Sequence, residues 1–524
     1  VVRIWLGVLS VIFALVGVQW LRSNSLAQNE VNTLSVEEKW KETGLKIQDI
    51  DNLFINKHCH LNKKYFLSCM NALTVLAEKQ GKEITSQGKL IADINKMAMT
   101  EKEKLSKWEE LYELNQSTQI PIEKIWKQLS TLIQNQSNES LRVAQTFNAY
   151  LSIFKDPHSY ILPKEYYDKV VAQSQNKMNS YGFIVSKHGS KFVFTRIYAD
   201  SVFERSGVRK GDILLEVDGV EVSALSTEEL LNLFKDKTKN KFVIMQKDKL
   251  INLSLNKESQ ILKSVQSKKL LVENNKTQLQ ISIYKIAEGV CKETSDLLVK
   301  AASMKASGVI LDLRDNSGGS MDEVLCLAGL FLGDKKIYDL KYFNQKNPEE
   351  FYAMNEQVYF GSLAVLINQG TASSAEILAG ALQDYKRAVV IGERSFGKGS
   401  FQEGEVWFKN PKVLIFQTKG IFTLPSGMSP QLMGVLPDIP IDSVDLAEGR
   451  EEDLYFNPIK STLPLGTHAG SLSIESYQHN LLLEKYSKSL PKNNSRRDAC
   501  EGNINQSLTD DPQLGKAQVH LACS

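Results

Sequence analysis

The sequence predicts an α/β core joined to a small strand-rich unit and preceded by a helical region. Three patterns carry that prediction. From about residue 278 to 445, segments that read as strands and helices alternate ("LQISIYKI", "GVCKETSDLLVKAASM", "GVILDLRDN", "MDEVLCLAGLFL", "LAVLIN", "SSAEILAGALQDY", "AVVIGE"), as parallel strands with helical crossovers do. Between 181 and 255 the strings "YGFIVS", "KFVFTRIY", "DILLEVDG" and "KFVIMQ" are short strands around two helix candidates. From about 30 to 150 the chain is polar, helix-periodic and nearly free of Gly and Pro. A length of 524 residues exceeds one hydrophobic core. The 63 basic and 61 acidic residues leave a net charge of +2, so no field favours nucleic acid or acidic polymers.

Taken in order, Arg3 precedes an apolar run from Ile4 to Leu21 and a small-residue site at Ser25-Leu26-Ala27. Residues 1–27 are an export element. Such a run suits a cleaved signal peptide and is also just long enough for a membrane anchor, and both remain open. Residues 28–150 form the helical region, and its last helix should stop near Asp156, because the residue before Pro157 is biased away from helix. The segment 151–178, with its Asp-Pro-His-Ser-Tyr string, leads into the core. Cys59 with Cys69 and Cys500 with Cys523 suit disulfides in an oxidising compartment, while Cys291 and Cys326 lie in apolar helical patterns and read as buried thiols. Neither a Cys-x-x-Cys pair nor a Cys/His cluster with zinc spacing occurs, so no metal is expected.

The string "DSVFERSGVRKGDILLEVDGVEV" resembles the PDZ pattern, which places a PDZ domain at 179–258 with a capping box from Ser226 to Glu229 on its second helix. PDZ domains add a peptide as an extra strand and hold its terminal carboxylate on backbone N–H groups. The loop Tyr181-Gly182-Phe183-Ile184 is similar to that carboxylate loop, with Phe183 and Ile184 lining the pocket.

Two turns at strand ends carry the candidate chemistry, "LDLRDNSGGS" and "NQGTASSAE". A third string, "IGERSFGKGS", has the glycine and lysine spacing of a phosphate-binding loop, but Gly399 stands where the metal-holding Ser or Thr must be. Its surroundings read as strand and turn. Ser373 enters a helix from an apolar strand, as a nucleophile elbow does though without Gly-x-Ser-x-Gly; with Glu376 three residues on, it is equally an ordinary capping box. A nucleophile needs a base, and a lysine serves if its site is dry enough to favour the neutral amine. Lys398, between Phe396 and Phe401, is the candidate.

The segment "NQGTASSAEILAGALQDYKRAVVIGERSFGKGSFQ" resembles the active-site segment of the C-terminal processing peptidases, or tail-specific proteases, which use a Ser/Lys dyad. Lys398 follows Ser373 by 25 positions, the family's spacing. The likeness runs in order from Asp156-Pro157-His158-Ser159-Tyr160 through the PDZ region to "TLPSGMSPQLMGVLPDIPI". It implies a crotonase-like α/β peptidase core over 259–445 with the PDZ domain inserted, and a C-terminal extension over 446–524 of unassigned role. It further implies Ser373 as nucleophile, Lys398 as base, Gln402 as the residue orienting Lys398, and an oxyanion hole from the amides of Gly318 and Ser374. Where the family reads Ala-Ser-Ala-Ser-Glu, this chain has Ala372-Ser373-Ser374-Ala375-Glu376, so two adjacent hydroxyls compete, and spacing favours Ser373. In a regular strand four residues span about 13 Å, so a Lys398–Gln402 contact requires the chain to curl. Asp384, essential in some relatives, is about 16 Å along a continuous helix from Ser373 and reads as structural. Asp312, Arg314 and Asp315 read as scaffold ion pairs and His158 as a turn-stabilising residue.

The expectation is an exported serine endopeptidase, in the periplasm or on the outer face of the cytoplasmic membrane, acting on proteins or peptides with free C-termini. It requires no cofactor, metal or nucleic acid; membrane anchoring and homo-oligomerisation stay open. The alternative is an exported PDZ adaptor with a catalytically silent peptidase core.

Overall fold

A computed structural model of the chain describes residues 36–78, 101–442, 449–454, 458–459 and 511–523, apart from short stretches at 56, 119, 173–177, 199, 226, 235–236, 261–262 and 273–275. The export segment 1–27, the capping residue Ser226 and Cys500 lie outside the described residues.

Helices at Val36–Thr43, Lys63–Glu78, Glu101–Thr118, Ile122–Ile133 and Glu139–Phe154 build the N-terminal region. In Ile122–Ile133 the buried residues Ile122, Ile125, Trp126, Leu129 and Ile133 recur at helical steps, so one stripe faces inward. That stripe shares a core with Trp407, Val413 and Ile415 of the following domain. The helices therefore pack on the hairpin that carries the lysine loop. Cys59 and Cys69 are bonded within this region.

The next unit is an antiparallel sheet in the order Phe183–His188, Lys191–Ile197, Ile213–Val217, Lys239–Gln246, Lys249–Asn256, with Val220–Glu221 paired to Ile213–Val217. Period-two alternation sends Phe192, Phe194, Phe242 and Ile244 inward, where they meet Phe203 from the helix Val202–Arg205. Phe183–His188 is an edge strand, so one side of it is unpaired in this sheet.

The core divides into two sheets. One runs in the order Val265–Leu271, Thr277–Ile283, Gly308–Asp312, Leu363–Ile367, Val389–Gly392, Ile439–Pro440. Its first pair is antiparallel and the rest are parallel. Helices Val290–Ser303, Met321–Leu332 and Ser374–Asp384 bury one face, against Val309, Leu311, Val365 and Val390. The other face, with Ile310, Ala364, Leu366 and Ile391, is covered by Leu514, Ala517 and Leu521 of the C-terminal helix Pro512–Ala522. The second sheet is antiparallel and joins Tyr160–Pro163, Val413–Thr423, Lys336–Tyr342 and Glu349–Tyr352, with Ser400–Val406 also on Val413–Thr423.

Two expectations are corrected here. The crotonase-like fold is not the description that fits: the core is built of two distinct sheets. Its second sheet pairs both 160–163 and 336–342 with 413–423, at long sequence separation that an alternating β/α pattern does not announce. Cys291 and Cys326 are not free thiols but a disulfide with Cα atoms 5.9 Å apart. Each lies near the start or middle of a crossover helix, and the apolar pattern shows that each helix is buried without showing that the two face each other.

Candidate active site

The strand Leu363–Ile367 ends in the turn Asn368–Ala372, and Ser373 stands at the N-cap of Ser374–Asp384. Its φ of 56° and ψ of −124° are a conformation that a non-glycine residue adopts at a cost of roughly 1–3 kcal/mol. The surroundings hold it there. Ala372 N–H donates to Asn316 O at 2.9 Å, Thr371 Oγ1 donates to Leu313 O at 2.8 Å, and Ser373 N–H donates to Glu376 Oε2 at 2.8 Å. The capping geometry is thus present, yet the Oγ atoms of Ser373 and Ser374 are buried and have no hydrogen-bond partner among the described residues. A cap would use that oxygen; here it is left over.

Glu376 organises the site. Its carboxylate is fully buried and accepts four hydrogen bonds: Oε2 from the N–H groups of Ser373 and Lys398, Oε1 from Ser395 Oγ at 2.5 Å and Gly397 N–H at 2.7 Å. Burial pushes its acid up to about 7, with the four donors pulling the other way. Sequence reasoning treated this residue as a spacing marker. Its position three residues after an N-cap is the one signal that could have flagged it.

Lys398 is 1% exposed. Its Nζ donates to Gln402 Oε1 at 3.0 Å, and a register shift between Phe401 and Gln402 provides the curl that this contact needs. Gln402 Nε2 donates to Ser400 Oγ at 3.2 Å and to Thr418 Oγ1 at 3.1 Å, and Thr418 Oγ1 donates to Asp156 Oδ1 at 2.8 Å. The Asp-Pro-His-Ser-Tyr segment therefore reaches the lysine through two side chains. Burial lowers the Lys398 ammonium to about 8, opposed by the charges of Glu451, Glu376 and Asp156. Ser373 Oγ and Lys398 Nζ share this region but do not hydrogen-bond to each other.

Gly318 lies against the serine: a Cβ there would fall 2.9 Å from Ser373 Cβ and 3.0 Å from Ser374 N. Its φ of +92° also favours glycine. Its N–H, however, donates to Asn316 Oδ1 at 2.8 Å. Ser374 N–H belongs to the first turn of the helix, where amides have no intrahelical acceptor.

The remaining candidates sort plainly. Asp384 Oδ2 accepts Ser426 N–H at 2.9 Å, away from the serine. Asp312 pairs with Arg314 at 2.7 Å, and Arg314 with Asp511 at 2.8 Å, which ties the C-terminal helix to the sheet. Asp315 receives Lys210 on its carboxylate and Arg196 on its carbonyl, linking the small β unit to the glycine turn. His158 Nε2 is 2.8 Å from Glu451 Oε1, in a fully buried pair.

In the small β unit, Tyr181 and Phe183 are core residues, and Tyr181 OH donates to Asn240 Oδ1 at 2.6 Å. Both belong to the aromatic cluster around Phe203 and Phe242. Gly182 N–H donates to Ser180 Oγ at 2.8 Å, and Ile184 is half-buried on the edge strand. Among the described residues there is no cluster of side chains that could hold a metal, and no helix long and apolar enough to cross a membrane.

The pattern of peptidase family S41 matches residues 278–441, and that of the PDZ domain matches 193–244. The chain is 27% identical over 339 residues to a "Probable CtpA-like serine protease" of Staphylococcus aureus (strain bovine RF122 / ET3-1), covering 64% of this chain and 66% of that one. It is 26% identical over 330 residues to the "Carboxy-terminal processing protease CtpA" of Bacillus subtilis (strain 168), covering 60% of this chain and 69% of the relative. The chain thus spans just under two thirds of the length of the Staphylococcus relative. Among solved structures it is similar to the photosystem II D1 C-terminal processing protease, at 19% identity and a TM-score of 0.42, covering 68% of this chain and 94% of that one. The matched family is one of peptidases, which replaces the crotonase-like description of the core.

Proposed function

We propose that this chain, whose residues 278–441 match peptidase family S41 and 193–244 the PDZ domain, is an exported serine endopeptidase that captures free C-terminal ends of proteins. Ser373 Oγ attacks the scissile carbonyl while neutral Lys398 takes its proton, giving a tetrahedral oxyanion held by the amides of Ser374 and Gly318. Collapse expels the amine, which receives the proton from the Lys398 ammonium, and leaves an acyl-enzyme on Ser373. Water then attacks the ester with Lys398 again as base, releasing the acid and restoring both residues. Gln402 holds Nζ in place, and Gly318 N–H must first leave Asn316 Oδ1.

One observation carries the assignment: the buried Glu376 carboxylate binds the backbone of both Ser373 and Lys398 while Ser373 Oγ has no hydrogen-bond partner among the described residues. An ordinary cap and an ordinary hairpin need no such shared anchor. Export is supported by the apolar run Ile4–Leu21 and by disulfides at Cys59–Cys69 and Cys291–Cys326, which persist in oxidising compartments. The periplasm or the outer face of the cytoplasmic membrane would suit both.

A silent adaptor is the second reading, favoured by the unmade Ser373–Lys398 hydrogen bond and the engaged Gly318 N–H. A fluorophosphonate that labels active serines, followed by peptide mapping, separates them. The peptidase is labelled at Ser373, and Ser373→Ala is not. No labelling, together with no cleavage of a protein bearing an apolar C-terminus, leaves the adaptor.

A further inference from the structure

Beyond the matched region 278–441 the short helix Glu451–Leu454 packs on the lysine loop. Glu451 N–H donates to Phe396 O at 3.1 Å. On the other side of Lys398, Gly399 N–H donates to Gln431 Oε1 at 2.8 Å, and Gln431 Nε2 reaches Glu451 Oε1 at 3.4 Å. The same Oε1 meets His158 Nε2 at 2.8 Å. The Glu451 side chain is fully buried, and its Oε2 has no hydrogen-bond partner among the described residues. A carboxylate buried this deeply needs charge compensation nearby. The charged groups facing Lys398 are Glu451, Glu376 and Asp156. Glu376 is committed to four donors and Asp156 to Ser159, Thr418 and the His158 N–H.

We propose that Glu451 is a positioning residue for Lys398: it clamps the loop on both sides of the lysine and supplies the negative charge that balances the buried ammonium. This rests on the dyad assignment above. The C-terminal extension is then part of the catalytic apparatus, and His158 is the side chain that holds Glu451 in place.

The test is the pH dependence of Ser373 acylation by a fluorophosphonate in the full chain. Removing a nearby carboxylate disfavours the ammonium, so Glu451→Gln should move the midpoint of the rising limb to lower pH by roughly one unit. Glu451→Asp keeps the charge and should retain the parental midpoint even where the rate falls. A folded Glu451→Gln with the parental midpoint overturns the proposal, because a purely structural role lowers the rate at every pH without moving the profile. Should Glu451→Gln fail to fold, Glu451→Ala takes its place. It also removes the negative charge and must shift the midpoint in the same direction. An unmoved midpoint in a folded Glu451→Ala is equally fatal. Absence of any Ser373 labelling in the parent sinks the dyad itself, a different result from a labelled parent with an unmoved midpoint.

Discussion

Ser373 and Lys398 donate their backbone N–H groups to one carboxylate oxygen, Glu376 Oε2, at 2.8 and 2.9 Å. The anchor fixes the two backbones and leaves the side chains free to meet. Glu376→Gln replaces one acceptor oxygen by an NH2 group that would face two donors. The expected result is a loss of about 3 kcal/mol in stability and a loss of peptidase activity beyond what the lower melting temperature explains. Denaturant unfolding and a peptide assay below the transition check both.

Lys398 must be neutral to accept the serine proton, and burial lowers it to about 8. Activity should therefore rise with pH through that region. Lys398→Ala should be inactive, and Lys398→Arg as well, since a guanidinium stays charged. Lys398→Met should be inactive yet more stable at pH 7. A base with a depressed folded pKa binds fewer protons when folded, so stability rises with pH between about 8 and the ordinary 10.5, and at pH 7 the buried charge costs on the order of 3 kcal/mol. Melting temperatures of parent and Lys398→Met across pH 6 to 10 read this directly: the gap should narrow as pH rises.

The adjacent serines make a paired test. Ser373→Ala removes the attacking oxygen and should abolish cleavage, while Ser374→Ala keeps its backbone N–H and should retain much of the rate. The opposite pattern moves the nucleophile by one residue.

Peptide capture on the edge strand Phe183–His188 should need a free carboxylate, which the Gly182 turn accepts once its N–H leaves Ser180 Oγ. Amidating the C-terminus of a test peptide should weaken binding and cleavage together. Equal handling of acid and amide would remove the tail-recognition assignment.

Much of this was legible along the chain. Alternating β and α segments specify parallel pairing in one sheet, resemblance to the tail-specific proteases relates Ser373 to Lys398 through their 25-residue interval, and the failure at Gly399 removes the nucleotide alternative. The aromatic period of Phe192 and Phe194 marks an inward face, and Phe183 joins them in the core. Local pattern cannot tell a ligand pocket from a hydrophobic interior, because both demand the same side chains.

The sequence by itself determined the order of elements, the apolar export run, the strand-turn-helix that presents Ser373 and the burial of the segments around Lys398. Those properties follow from local conformational preference and from side-chain periodicity, both of which act within a few residues. Tertiary structure alone decided that 160–163 pairs with 413–423, that Cys291 faces Cys326, that Asn316 holds Gly318 N–H, and that Glu376 and Glu451 both converge on the lysine loop. Each joins residues far apart in the chain or depends on where one donor points. A buried carboxylate's partners are chosen by what the closed core leaves within about 3 Å, a geometry that no spacing along the chain encodes.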